Sequence, residues 1–277
     1  MTDSRKLAAV CGAVGLALCA MTGIARADGY EYAAPAAPVE ERKFTWSFNI
    51  DGTSDYVFRG ISQTDNDPAI QGGMDASYGI LYAGWWASQL DFDAALNDAE
   101  VEIDWYGGIR PKWHNVTFDL GVIYYSYPGA SYINGSVLDG THLDYLEYKA
   151  GASSEICKNF VIGGTIYFSD DYFSETGRAW TFEGTAAYTL PKVWVFTPTV
   201  NGLIGHQDGN SNAYLLFNGF DSYWYYNAGL ALTVDALTFD FRYWGTSDAS
   251  NVLSDTLTCI NHYCDSRFVF TAKIALP

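Results

Sequence analysis

Basic residues are scarce in this sequence. Its 277 residues carry 15 Lys+Arg against 32 Asp+Glu, a formal charge of -17. A nucleic-acid surface needs cations opposite the phosphates, so that class of partner is excluded. Cysteine is sparse at 5 residues, and proline at 8. After residue 24 no run approaches the roughly 18 uninterrupted apolar residues that a membrane-spanning helix requires. Catalytic motifs are missing as well. There is no G-x-S-x-G, and the four histidines, His114, His142, His206 and His262, fall in stretches read as turns and loops, away from a nucleophile. The expectation is a protein that is not an enzyme and uses no cofactor.

The first residues read as a targeting segment. Arg5 and Lys6 precede an apolar run over 7–24, and Ala25-Arg26-Ala27 fits a small-x-small cleavage site. Residues 1–27 are therefore expected to be a secretory signal peptide, and the Ala/Pro/Glu-rich stretch 28–43 a flexible linker. Export implies an oxidising compartment. Cys259 and Cys264, five apart in a polar loop, are candidates for a disulfide. His262 between them raises a metal site as the alternative, but two Cys and one His fall one ligand short of a closed zinc site. Acidic groups also cluster at Asp65-Asn66-Asp67 and at Asp91, Asp93, Asn97, Asp98 and Glu100, without the spacing of a calcium loop. A hydrated acidic rim explains them.

What the chain does have is aromatics, at 17% with Tyr 21, and alternation. Phe44, Trp46, Phe48 and Ile50 are apolar, while Thr45, Ser47, Asn49 and Asp51 are polar. A period of 2 is a strand with one apolar and one polar face. Such runs recur, giving strands near 44–60, 69–78, 81–91, 100–110, 116–126, 143–153, 160–169, 180–190, 194–205, 222–234, 237–246 and 266–276. The parity of 81–91 is ambiguous, because Trp85 and Trp86 are adjacent. Long connections (61–68, 92–99, 127–142, 170–179, 206–221, 247–265) alternate with short ones (79–80, 111–115, 154–159, 191–193, 235–236). That alternation predicts an all-β fold over 44–277: a transmembrane antiparallel β-barrel, most simply of 12 strands, with both termini on the short-turn, periplasmic side. A closed barrel leaves no backbone edge unpaired in lipid. Tyr and Trp suit membrane interfaces. Two girdles are expected, with Phe58, Tyr124, Tyr125, Phe168, Trp180, Trp224, Tyr243 and Trp244 toward the long loops and Tyr78, Tyr82, Trp113, Phe118, Phe160, Tyr188, Trp194 and Phe239 toward the short turns. A secreted soluble sandwich is the alternative, but its solvent face would carry more Lys than the Gly-, Ala- and Thr-rich face seen here.

If the apolar face meets lipid, the other face lines a lumen. On this register it carries Asp51, Asp55, Arg59, Asp75, Glu102, Asp104, Arg110, Asp119, Glu147, Lys149, Glu183, Asp240 and Arg242, with Glu100 and Lys273 in addition. The carboxylates outnumber the cations, which predicts a preference for cations or neutral solutes. Arg59 stands out, placed to organise carboxylates or line a constriction.

The stretch Asp55-Tyr56-Val57-Phe58-Arg59-Gly60-Ile61-Ser62-Gln63-Thr64, followed by Pro68-Ala69-Ile70-Gln71-Gly72-Gly73, resembles the opening signature of the TorF family of porin-type bacterial outer-membrane proteins. The resemblance implies an outer-membrane location, with lipid and small solutes as partners and passive diffusion of solutes as the function. The alternative is a non-conducting barrel that acts through its external loops as a binding or adhesion module. An aromatic-rich loop from Asn212 to Tyr226 would suit that role.

Overall fold

The structure, a computed structural model, describes residues 43–92, 99–130, 142–247, 259 and 262–277. The expected signal peptide and the linker before Lys43 lie outside the described residues, as do Asp93, Asn97 and Asp98. Twelve long strands follow one another: β1 (Phe44–Thr53), β2 (Ala69–Tyr78), β3 (Leu81–Gln89), β4 (Val101–Ile109), β5 (Val116–Ser126), β6 (Tyr145–Cys157), β7 (Phe160–Tyr172), β8 (Gly177–Thr189), β9 (Thr197–Gly209), β10 (Ser222–Val234), β11 (Leu237–Ser247) and β12 (Arg267–Leu276). Each pairs antiparallel with its neighbours in chain order. Pairing of β1 with β12, Asp51 opposite Lys273, closes the barrel. β1 begins and β12 ends on the rim that carries the short turns.

The two faces of this barrel are inverted relative to a soluble protein. Phe44 is 62% exposed, and Trp46, Phe48 and Ile50 follow it outward, while Ser47, Asn49, Asp51 and Thr53 are buried. The same holds around the ring, where Ile166, Phe182, Ile204, Leu230 and Phe241 are exposed and Glu102, Asp104, Glu147 and Glu183 are buried. Apolar groups outside and carboxylates inside suit hydrocarbon around the barrel, which excludes the soluble sandwich. Ile204, 56% exposed near the middle of β9, tests this. Ile204→Arg should cost about 2–4 kcal/mol of folding free energy in bilayers, the depth-dependent penalty for a cation on the lipid face. Urea titration of vesicle-inserted protein reads it.

Several expected boundaries move. β1 ends at Thr53, not at residue 60, and Val57–Phe58 with Ile61–Ser62 form a separate small hairpin. β7 and β8 extend to a tight connection over 173–176, so the long loop expected at 170–179 is short. β9 runs from Thr197 to Gly209, which puts His206 on a strand, stacked on Trp224 at 4.6 Å. The stretch expected as an aromatic loop contains helix α1 (Asn212–Asn218), capped by the Ser211 hydroxyl accepting from the Tyr214 amide and ended by Gly219 at φ 77°.

The girdles are corrected in part. Tyr124, Trp180, Trp224 and Tyr243 are exposed near the long loops, and Tyr78, Trp113, Tyr188 and Trp194 near the short turns. Tyr125 and Trp244 are buried, and Tyr82 reaches into the barrel to donate to Asp119. Adjacent residues of a strand point to opposite faces, so Tyr124 with Tyr125, or Tyr243 with Trp244, cannot both face lipid. The same rule resolves β3, with Trp86 inside and fully buried and Trp85 half-buried on the opposite face.

Candidate functional site

The connection between β1 and β2 turns inward. Val57 pairs with Ser62 and Phe58 with Ile61, leaving Arg59 and Gly60 as a two-residue turn with φ of 48° and 85°. Positive φ at both positions is a type I′ turn, whose twist matches that of the strands it joins. Non-glycine residues adopt this region at a cost of about 1–2 kcal/mol, so Arg59 is held there by its surroundings.

Those surroundings are the inner wall. The Arg59 guanidinium donates to both carboxylate oxygens of Glu147, at 2.8 and 2.7 Å, and to Gln207 Oε1 at 3.3 Å. It lies 4.7 Å from the ring centre of Phe58 and 5.1 Å from that of Tyr167. The Tyr223 hydroxyl donates to the Arg59 carbonyl at 3.1 Å, and the Tyr125 hydroxyl to Glu147 at 3.0 Å. Arg59 is 2% exposed and Glu147 1%. Burial disfavours the charge on Arg59, but the Glu147 carboxylate and nearby phenols outweigh it and raise the pKa well above its ordinary value. The ion pair is charged and bidentate, the strongest form of such a contact.

The hairpin sides pack against opposite halves of the barrel. Tyr56 meets Trp86 edge-on at 5.2 Å and donates to Glu102 at 3.0 Å, while Phe58 meets Tyr125 at 5.9 Å. These residues join one buried cluster with Tyr106, Tyr145 and Tyr167. Val57 and Ile61 pack into a second with Leu203, Phe220, Tyr223, Tyr225 and Trp244. At its base, Asp55 accepts from Ser62, Thr64 and Arg267, at 2.7, 3.0 and 2.7 Å. From the rim, Tyr214 of α1 is buried and accepts from Gln207 at 3.1 Å, which links it to Arg59.

Of the lumen residues expected from the sequence, Glu100 is exposed and precedes β4, a correction to that set, while the others are buried or half-buried, not all of them as strand residues. Asp55 and Arg59 reach the interior on the hairpin, because β1 stops short of them. Asp51, Asp55, Arg59, Glu102, Asp104, Glu147 and Glu183 are buried. Asp75, Arg110, Asp119, Lys149, Asp240 and Arg242 are half-buried. Asp119 accepts from Tyr82 at 2.6 Å and pairs with Lys149 at 2.9 Å and Arg110 at 3.2 Å. Arg242 pairs with Asp240 at 2.8 Å and donates to Asn227 at 2.6 Å, and Tyr106 donates to Asp75 at 2.7 Å. The cations expected on the inner face thus divide. Arg59 serves the buried region, Arg110 and Lys149 pair with Asp119, and Arg242 pairs with Asp240. Cys259 and Cys264 form a disulfide, with Cα atoms 5.2 Å apart. Among the described residues no group of three or more His, Cys, Asp or Glu side chains is arranged to hold a metal.

Sequence reasoning missed the lumen aromatics Tyr56, Trp86, Tyr167 and Tyr225. Tyr56 and Phe58 keep the even-numbered parity of the lipid-facing residues, so alternation alone placed them outside. The available signal was the polar break Gly52-Thr53-Ser54, followed by Arg59-Gly60 between two short apolar pairs.

Residues 36–275 match the model of a family described as "Bacterial protein of unknown function (Gcw_chp)". No curated protein matches the chain. Among solved structures, a NanC porin in a rhombohedral crystal form is 9% identical, with a TM-score of 0.51 over 83% of this chain and 99% of that one. Salmonella typhi OmpF in complex with daunomycin is 8% identical over 85% and 98% of the two chains, with a TM-score of 0.42. An OmpT of Vibrio cholerae lacking loop L8 is 11% identical over 84% and 99%, with a TM-score of 0.40. The NanC likeness concerns the fold alone, a porin barrel of nearly the same extent.

Proposed function

We propose that this chain, which belongs to the Gcw_chp family of bacterial proteins of unknown function, is an outer-membrane channel for small solutes, narrowed by its own inserted hairpin. The carrying observation is the hairpin seated through Arg59 on Glu147 inside a closed barrel. Its fastenings are mainly side-chain contacts, and the strands around it are bonded to one another without it. Such a part can leave while the barrel stays. The porin fold of the NanC likeness and the TorF-like signature over 55–64 and 68–73 support the same reading. The bacterial outer membrane, reached by a cleaved signal peptide, is the proposed location, with the short turns and both termini periplasmic. Lipid and small solutes are the proposed partners.

Selectivity follows from charge. The half-buried residues Arg110, Lys149 and Arg242 stand against Asp75, Asp119 and Asp240 and balance. Around the hairpin, Asp55, Glu102, Asp104, Glu147 and Glu183 exceed Arg59 and Arg267. The narrowest level is therefore the acidic one, where Coulomb attraction is least screened. Planar-bilayer recording of refolded protein under a KCl gradient should give small discrete steps with a reversal potential that leans toward cations. An anion-leaning potential would overturn the charge argument.

One observation favours the second reading, a non-conducting barrel that works through its loops. Inward residues near the hairpin on β3, β4, β6, β8 and β10 are fully buried, so the seated hairpin fills the lumen there. Recording of Arg59→Ala decides between the two. Steps larger than those of the wild type support the channel. No steps from a correctly inserted barrel in either form support the loop module.

A further inference from the structure

The hairpin has a second fastening, at its outer base, and it is covalently braced. We propose that the Cys259–Cys264 disulfide is a redox latch, and that its reduction by a dithiol lets the hairpin leave the lumen. This rests on the reading of the hairpin as the constriction of a channel.

The disulfide closes the segment that leads into β12. Cys264 is buried in the same cluster as Val57 of the hairpin, with Cys259 and Ile61 packed against it. The carbonyls of the segment are arrayed as acceptors. Tyr263 O accepts the Ser62 amide of the hairpin at 2.9 Å. It also accepts from Arg267 at 2.6 Å, and His262 O accepts from the same Arg267 nitrogen at 2.6 Å. Asp265 O accepts from Arg267 Nε at 2.9 Å, and Cys264 O from the Thr246 hydroxyl at 2.8 Å. With its backbone bonds made, Arg267 extends to Asp55 at 2.7 Å and also bonds Asn66. Asp55 in turn gathers Ser62 and Thr64. One chain of contacts thus runs from the disulfide through its carbonyls and Arg267 to the base of the hairpin. The S–S bond limits how far those carbonyls can drift. Cutting it frees the acceptors that hold Arg267 and Ser62.

Cys259 is the partly exposed end and Cys264 the buried one. A reductant thiolate attacks Cys259 Sγ. The Cys259–Cys264 bond breaks as a mixed disulfide forms, and the Cys264 thiolate leaves and takes up a proton. The second thiol of the dithiol, as its thiolate, then attacks the reductant's first sulfur in the mixed disulfide, and the Cys259 thiolate leaves and is protonated. Two electrons pass from the dithiol, which ends as a cyclic disulfide. Cys157, the described cysteine outside this disulfide, lies at the end of β6 by the opposite rim.

The test is single-channel recording of the refolded protein before and after dithiothreitol, beside a Cys259→Ser/Cys264→Ser double variant and Arg59→Ala. Heat-modifiable gel mobility confirms that each barrel is folded. The expected result is a severalfold rise in wild-type conductance on reduction, to the level of the double variant, which itself does not respond. If Arg59→Ala conducts more than the wild type but reduction changes nothing, the latch is overturned and the channel reading stands. If reduction and Arg59→Ala both leave an inserted barrel silent, the channel reading fails and the latch with it. Reduction of the folded wild type keeps the test intact even where the double variant folds poorly.

Discussion

Glu147→Ala is expected to enlarge the conductance steps of the proposed channel. The substitution leaves the Arg59 guanidinium in place with its bidentate acceptor gone, and leaves the Tyr125 hydroxyl without the oxygen it donates to. Removing one partner of a buried ion pair costs about 3–5 kcal/mol, because the other charge is then buried and uncompensated. The protein can relieve that cost by unfolding the barrel or by returning Arg59 to water. The second is cheaper. The barrel ladder runs from β1 to β12 without the hairpin, whose own ladder joins only Val57 with Ser62 and Phe58 with Ile61. The expected result is a folded, heat-modifiable barrel with severalfold larger steps than the wild type. Arg59→Ala/Glu147→Ala removes both charges, so it should lose less stability than the two single variants added together, the mark of a coupled pair. Planar-bilayer recording and urea titration in vesicles read the two quantities. Wild-type conductance from a folded Glu147→Ala protein would show that the ion pair does not hold the hairpin.

Gly60→Val should act as strongly, by a route that leaves every charge in place. Gly60 sits at φ 85°, and a Cβ there would lie 2.6 Å from Thr246 Cγ2 and 2.9 Å from Tyr225 Cβ. Both neighbours are buried wall residues on β11 and β10. The wall cannot yield without disturbing the barrel, and a β-branched residue is poorly suited to positive φ. The tip therefore cannot seat, and larger steps are expected with normal heat-modifiability. Gly79→Ala is the control. It also has positive φ, at 63°, but lies in a short turn where a Cβ meets nothing within 4 Å. It carries the backbone strain without the collision and should leave the conductance unchanged. Equal effects from the two would mean that turn strain, not seating, controls the lumen.

Both predictions turn on the hairpin tip, Arg59 and Gly60, which local pattern placed in the first strand. Strand existence, strand number and the inward set Asp51, Glu102, Asp104, Glu147, Glu183 and Asp240 were legible, because side chains alternate with period 2 and a closed barrel in lipid sorts them into a dry face and a wet one. The Cys259–Cys264 pairing was legible from spacing. Less legible were the ends of β7, β8 and β9, where polar residues such as Asp170, Arg178 and Gln207 read as loop although they face the lumen or the rim. Strand pairing extends through them because the neighbouring strand supplies the hydrogen bonds.

Alternation by itself determined which residues of each strand share a face, with Phe44, Trp46, Phe48 and Ile50 turned to lipid, since that information lies in each residue's parity with its immediate neighbours. Only the tertiary structure decided what fills the barrel. The polar break before Tyr56 and the Arg59-Gly60 pair can mark a turn, but nothing local says that the hairpin they form enters the lumen. The difference is made by Glu147, Gln207, Tyr223 and Tyr225, far along the chain, which meet Arg59 and Gly60 only once the barrel has closed around them.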